Sequence, residues 1–155
     1  MASTLSSSTL TVRVVESIKL NGTEQGAINT KSITGINEVS KRIFTITTTE
    51  TTIATFSIAT GQGTYIAANV RYIRFTNKDD TNFIMLTFKD EDNTEFRVKV
   101  DAGQSFIYNG DNAGGLVDTM KSNGTALSSG LADLYDITAD ADTASCDLEM
   151  FIASV

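Results

Sequence analysis

Apolar and polar residues alternate with a period of two through the middle of the chain, the spacing that lays one face of a β-strand on a core. In EFRVKVD, Phe96, Val98 and Val100 fall on one face, and Glu95, Arg97, Lys99 and Asp101 on the other. The preceding NFIMLTFKD has apolar residues of both parities, Phe83, Ile84, Met85, Leu86 and Phe88, as a strand covered on each side requires. The connector DEDN, Asp90 to Asn93, makes these two strands an acidic-tipped hairpin. VRYIRFT comes before them, joined through NKDD (Asn77 to Asp80), and QSFIYN follows the turn Asp101 to Gly103. Together they predict a four-stranded antiparallel meander from Val70 to Tyr108.

Five further segments carry strand patterns: Thr9 to Leu20, Lys41 to Thr48, Thr52 to Ala59, Ala132 to Ala139 and Ala144 to Ser154. Nine closely spaced strands with almost no helical period predict an all-β fold, an antiparallel β-sandwich of jelly-roll-like character. The abundance of Thr fits, because β-branched side chains suit a pleated, half-buried surface. Residues 1–8 read as a flexible, Ser-rich N-terminal arm, and residues 9–155 as one sandwich domain. Two long polar connections interrupt it, 21–35 with a short strand inside and 109–130 with a short helical turn at GLVDTMK. Connections of that length in a compact domain are commonly functional or disordered.

Composition narrows the function more than the fold. The 155 residues carry a net charge of -7, and no cluster of Lys and Arg matches a phosphate backbone, so nucleic acid is not an expected partner. No run of about 18 apolar residues is present to span a membrane, and MASTLSSSTL lacks the basic start and apolar centre of a signal peptide. The single cysteine, Cys146, permits no internal disulfide and fits a reducing site of synthesis. The chain has no histidine, which removes the usual general base, the Ser-His and Cys-His nucleophile pairs and the commonest zinc ligand together. Without proline, turns fall to Gly, Asn and Asp.

The remaining candidates for chemistry have plain structural readings. DEDN and NGDN offer the oxygen atoms calcium accepts, yet the spacing matches no EF-hand loop, and such residues are what hairpin tips use. Asp79 with Asp80, or the set Asp136, Asp140 and Asp142, supplies paired carboxylates, but no Trp is present to form a sugar platform beside them. Gly61 to Gly63, GQG, lacks the spacing of a phosphate-binding loop and reads as a turn. Cys146 reads as a small buried hydrophobe. Asn21-Gly22-Thr23 and Asn123-Gly124-Thr125 match the glycosylation sequon and read as Asn-Gly turns. No catalytic residue, cofactor or metal site is therefore expected. Exposed apolar residues in polar segments need a partner, and Leu5 in the arm with Leu116, Val117 and Met120 in the second long loop are the expected interface.

The stretch NVRYIRFTNKDDTNFIMLTFKDEDNTEFRVKVDAGQSFIYNG, with the ending DTASCDLEMFIAS, resembles small β-sandwich virion proteins of tailed bacteriophages, marine phages in particular. Many such proteins carry a Pro-Gly turn where this chain has Ala102-Gly103, a departure that keeps the glycine turn. The resemblance covers the second half of the chain well, and the first half only through SIKLNG and INTKSITGINEVSKRIFTI. It implies a non-enzymatic capsid decoration, or cement, protein that sits on the outer head shell as a symmetric oligomer and is made in the bacterial host cytoplasm. Its implied partners are the major capsid protein or neighbouring virion proteins. A tail or baseplate component is the second expectation, and a host-glycan-binding module the third.

Overall fold

Alternating segments of the sequence become the strands of two packed sheets in a computed structural model that describes residues 5–109 and 134–155. In chain order the strands are β1 (Ser8–Val15), β2 (Lys19–Leu20), β3 (Thr23–Glu24), β4 (Ile28–Ile36), β5 (Glu38–Ile46), β6 (Thr51–Ser57) and β7 (Thr64–Ile66). After a 3₁₀ turn at Ala67–Asn69 come β8 (Val70–Asn77), β9 (Ile84–Asp90), β10 (Glu95–Val100), β11 (Ser105–Asn109), β12 (Leu134–Ala141) and β13 (Cys146–Ser154). One sheet has the order β10-β9-β12-β6-β7, and the other β11-β8-β13-β5. Every pairing is antiparallel except the short parallel contact of β6 with β7. The described chain is an all-β sandwich, as the alternation predicts.

The core lies between the sheets and is built from alternate residues of each strand. Ile84, Leu86 and Phe88 of β9 point inward, as do Cys146, Leu148, Met150 and Ile152 of β13. Phe88 joins the two layers. It stacks on Phe96 with ring centroids 4.7 Å apart and meets Phe75, Phe106 and Tyr108 from the opposite sheet at 5.4 to 6.1 Å. These separations are those of favourable aromatic pairs, so one ring anchors both sheets.

The predicted meander is corrected. Only β9 and β10 form a hairpin, with Phe96 opposite Phe88 and Asn93 in the left-handed region at its tip. β8 and β11 pair with each other in the second sheet, so the chain crosses the sandwich between β8 and β9 and again between β10 and β11. The cause is visible at Asn77, which is fully buried. Its amide Nδ2 donates to the carbonyls of Asn82 and Val100, its Oδ1 accepts from the Asp79 backbone N–H, and its own N–H donates to the Gln104 carbonyl. One side chain thus closes both crossovers.

The long polar connection expected at 21–35 is corrected as well. Ile28–Ile36 is a nine-residue strand, and it pairs with β1 as a separate two-stranded ribbon. The strand expected from Thr9 to Leu20 stops at Val15, because the Glu24 carboxylate accepts from the backbone N–H groups of Ile18 and Gly26 and folds the tip back. β2 and β3 then close around Asn21 and Gly22, whose φ values of 50° and 81° suit a two-residue hairpin turn. The expected loop at 109–130 begins at the last residue of β11 and otherwise lies outside the described residues.

Two substitutions test this account by chemical denaturation. Phe88→Ala is expected to cost about 3–5 kcal/mol, the range for an aromatic removed from a packed core. Asn77→Ala is expected to cost about 2 kcal/mol, because the buried Val100 carbonyl loses its side-chain partner. Wild-type stability in Asn77→Ala would show that the crossovers do not depend on it.

Candidate functional site: an exposed apolar ribbon

The β1–β4 ribbon lies against the outer face of the four-stranded sheet. Its lower half is anchored by a second, smaller core in which Ile33, Ile36, Leu10 and Val12 pack on Tyr72, Phe151, Ala153 and Val155. Beyond that anchor the ribbon is largely exposed. Val14, Val15, Ile18, Leu20 and Ile28 are between 46% and 62% exposed. A cleft of about 340 Å³ opens between the ribbon and Ile107 of β11, lined by Val12, Val14 and Lys31. Scattered exposed apolar residues need no explanation, but here five lie together on one ribbon. An isolated pair of strands is at best marginally stable in water, so the outer half gains from any partner.

Beside the ribbon, the same outer face carries the exposed Val39 and Ile43 of β5 and a cluster of ion pairs. Arg74 donates to Glu149 at 2.6 Å, and Lys41 reaches the other carboxylate oxygen at 3.2 Å. The Arg74 hydrogen bond holds the Glu149 carboxyl below its usual range, against the upward push of burial and with help from Lys41. Thr76 takes a second contact from Arg74 and shares a hydrogen bond with Ser105.

The outer face of the five-stranded sheet has the opposite character. β12 presents Asp136, Thr138 and Asp140 outward, with Lys89, Thr87 and Met85 as their cross-strand neighbours on β9. The Thr138 hydroxyl donates to Glu50, which also receives Arg97 at 3.4 Å. Thr87, Asp136 and Asp140 each keep a buried side-chain oxygen with no hydrogen-bond partner. Burial pushes the Asp136 carboxyl up, countered by Lys89 and reinforced by Glu50 and Glu95. Burial likewise raises Asp140, countered by Arg97 and reinforced by Glu50.

Most residues singled out in the sequence serve turns. Asp79 accepts from the backbone N–H groups of Thr81 and Asn82, and these bonds hold its carboxyl below the usual range. Asp90 accepts from the backbone N–H groups of Asp92 and Thr94 at the β9–β10 tip. Gly63, at φ 73°, closes the GQG turn. Cys146 is buried in β13, and burial raises its thiol pKa. Among the described residues no group of His, Cys, Asp and Glu is placed to hold a metal ion, and no helix is long and apolar enough to cross a membrane. Of the expected interface, Leu5 is 67% exposed, while Leu116, Val117 and Met120 lie outside the described residues. The exposed valines and isoleucines of the ribbon are absent from that expectation. Their signal is the break in alternation at Val14-Val15, where both faces turn apolar at once.

No protein-family model, curated protein or solved structure matches the chain.

The two charged faces give opposite pH responses. Asp136 and Asp140 have folded-state pKa values raised by burial, so their charge opposes folding above that pKa and the cost fades as pH falls through it. Asp136→Asn or Asp140→Asn is therefore expected to raise the denaturation midpoint at pH 7, with the gain shrinking on acidification. Glu149 has a lowered folded pKa, so its contribution is present above the unfolded value and is lost as pH falls through the folded one. Glu149→Gln should destabilise at pH 7 and converge on wild type in acid. Midpoints measured from pH 3 to 8 check both signs.

Proposed function

We propose that the protein is a non-enzymatic structural component of a tailed-phage virion, most consistent with a decoration protein on the outer head shell, where it contacts the major capsid protein or its neighbours. The observation that carries this reading is the projecting β1–β4 ribbon with its exposed apolar outer half. A subunit that must grip a neighbour gains from an arm anchored in its own fold at one end and free at the other.

Strand connectivity supports the same reading by analogy of architecture. Leaving β7 aside, the eight strands of the two sheets run β5-β13-β8-β11 and β6-β12-β9-β10, so the first strand lies beside the last. We read that order as a jelly roll, an architecture that recurs in viral capsid domains and in lectins. Fold alone assigns no function. The ribbon weighs toward assembly, because a projecting apolar element suits a protein neighbour better than a sugar. Repetition by symmetry makes modest contacts of this kind hold together.

Copy number tests the proposal. Quantitative gels of purified particles, read against the major shell protein and followed by particle imaging, are expected to show the chain in numbers near that of the shell protein, on the outer head. A few copies at the tail would place it in the tail or baseplate, and absence from particles would overturn the virion reading. Within particles, replacing Val15, Ile18 and Ile28 with Ser is expected to cut incorporation several-fold while the free protein keeps its stability, since these side chains are exposed.

A further inference from the structure

We infer that the edge of β1, open among the described residues, pairs antiparallel with β1 of a second copy, about a two-fold axis at Val12, to make a four-stranded sheet of two ribbons. An unpaired strand edge is a template for another chain, and proteins commonly blunt such edges with charge, shortness or irregular backbone. The other edges of the described sheets are blunted in those ways. β5 carries Lys41 and Arg42, and β10 carries Glu95, Arg97 and Lys99. β11 has five residues and β7 three. β4 holds Lys31 and is bent at Gly35, whose φ is 80°. β1, STLTVRVV, has a single charge, four apolar residues and an irregularity only at its base, between Ser8 and Leu10.

Its sequence is also complementary to itself in one register. Centred on Val12, antiparallel pairing sets Leu10 opposite Val14, Thr11 opposite Arg13 and Thr9 opposite Val15, so every partner shares a face and no like charges meet. Centring on Arg13 would oppose two cations, and centring on Thr11 leaves Val15 without a partner. Room exists beside the strand. A cleft of about 280 Å³ runs along β1, lined by Leu10, Val12, Arg13, Tyr72, Arg74 and Phe151. A second copy fits these observations because the symmetric contact uses one surface twice, and because it would cover the exposed Val14 and Val15 of both ribbons. The inference stands apart from the virion reading, since it concerns the isolated chain.

Charge at position 11 tests it. Thr11 and Arg13 are both exposed, so substitutions there leave the fold intact, which circular dichroism verifies. In sedimentation equilibrium the wild-type chain is expected to be a dimer. Thr11→Lys places a cation opposite Arg13 twice per dimer and should weaken association by about tenfold, while Thr11→Glu should tighten it by a similar factor. Combining Thr11→Lys with Arg13→Glu should return affinity toward wild type. A wild-type monomer throughout the micromolar range, or Lys and Glu at position 11 acting in the same direction, overturns the inference. Either result leaves the copy-number test of the virion reading untouched, and a dimer that is absent from particles would sink that reading alone.

Discussion

Asn77 sits where the chain leaves one sheet for the other and where it later comes back. Its four hydrogen bonds reach the loop toward β9, the end of β10 and the turn into β11. Crossing a sandwich strands backbone polar groups at its rim, and each one left unpaired costs as much as several packed methylenes. A single amide with two donors and an acceptor settles these demands at one point. Because both crossings are closed there, β8 and β11 are brought side by side while β9 and β10 stay together in the other layer. The aromatic cluster around Phe88 follows from that arrangement, since Phe106 and Tyr108 reach Phe88 only from the opposite sheet.

Two outer faces then divide the surface. On one, Glu149 is clamped between Arg74 and Lys41, and the ribbon covers the adjoining Tyr72 and Phe151. On the other, aspartates on β12 lie beside cations without touching them and leave buried oxygens unsatisfied. The first face is spent on holding an arm in place, and the second keeps its charge partly desolvated.

What the sequence discloses depends on how sharply each segment is buried. β10 is legible because Phe96, Val98 and Val100 face the core while Glu95, Arg97 and Lys99 face solvent, so alternation and structure coincide. The acidic hairpin tip and the positions of β5, β6, β12 and β13 are legible to within a few residues for the same reason. Alternation reports which face of a strand is buried and says nothing of which sheet it joins, so the meander was the natural reading and the crossing at Asn77 was hidden. β4 was hidden differently. INTKSITGI is polar on both faces along most of its length because the ribbon is largely exposed, so it reads as a connection until β1 is seen beside it. The exposed apolar residues differ in the same way: Leu5 stands out as a lone apolar residue in a polar arm, whereas Val14 and Val15 pass for the interior of a strand.

β13 occupies the centre of the four-stranded sheet, paired on one side with β5 and on the other with β8, yet it is the last of the strands along the chain. Cys146 opposite Ile46 joins residues a hundred positions apart. During synthesis β5 and β8 must wait with open edges until that segment leaves the ribosome, and only then does the sheet exist as a unit. Chains rich in such distant pairings fold slowly, because loop closure is demanded before any contact rewards it. With no proline in the sequence, peptide-bond isomerisation sets no slow step. Topology therefore sets the pace at which the sheet forms, and the interval before β13 arrives is when this chain is most exposed to pairing with the wrong neighbour.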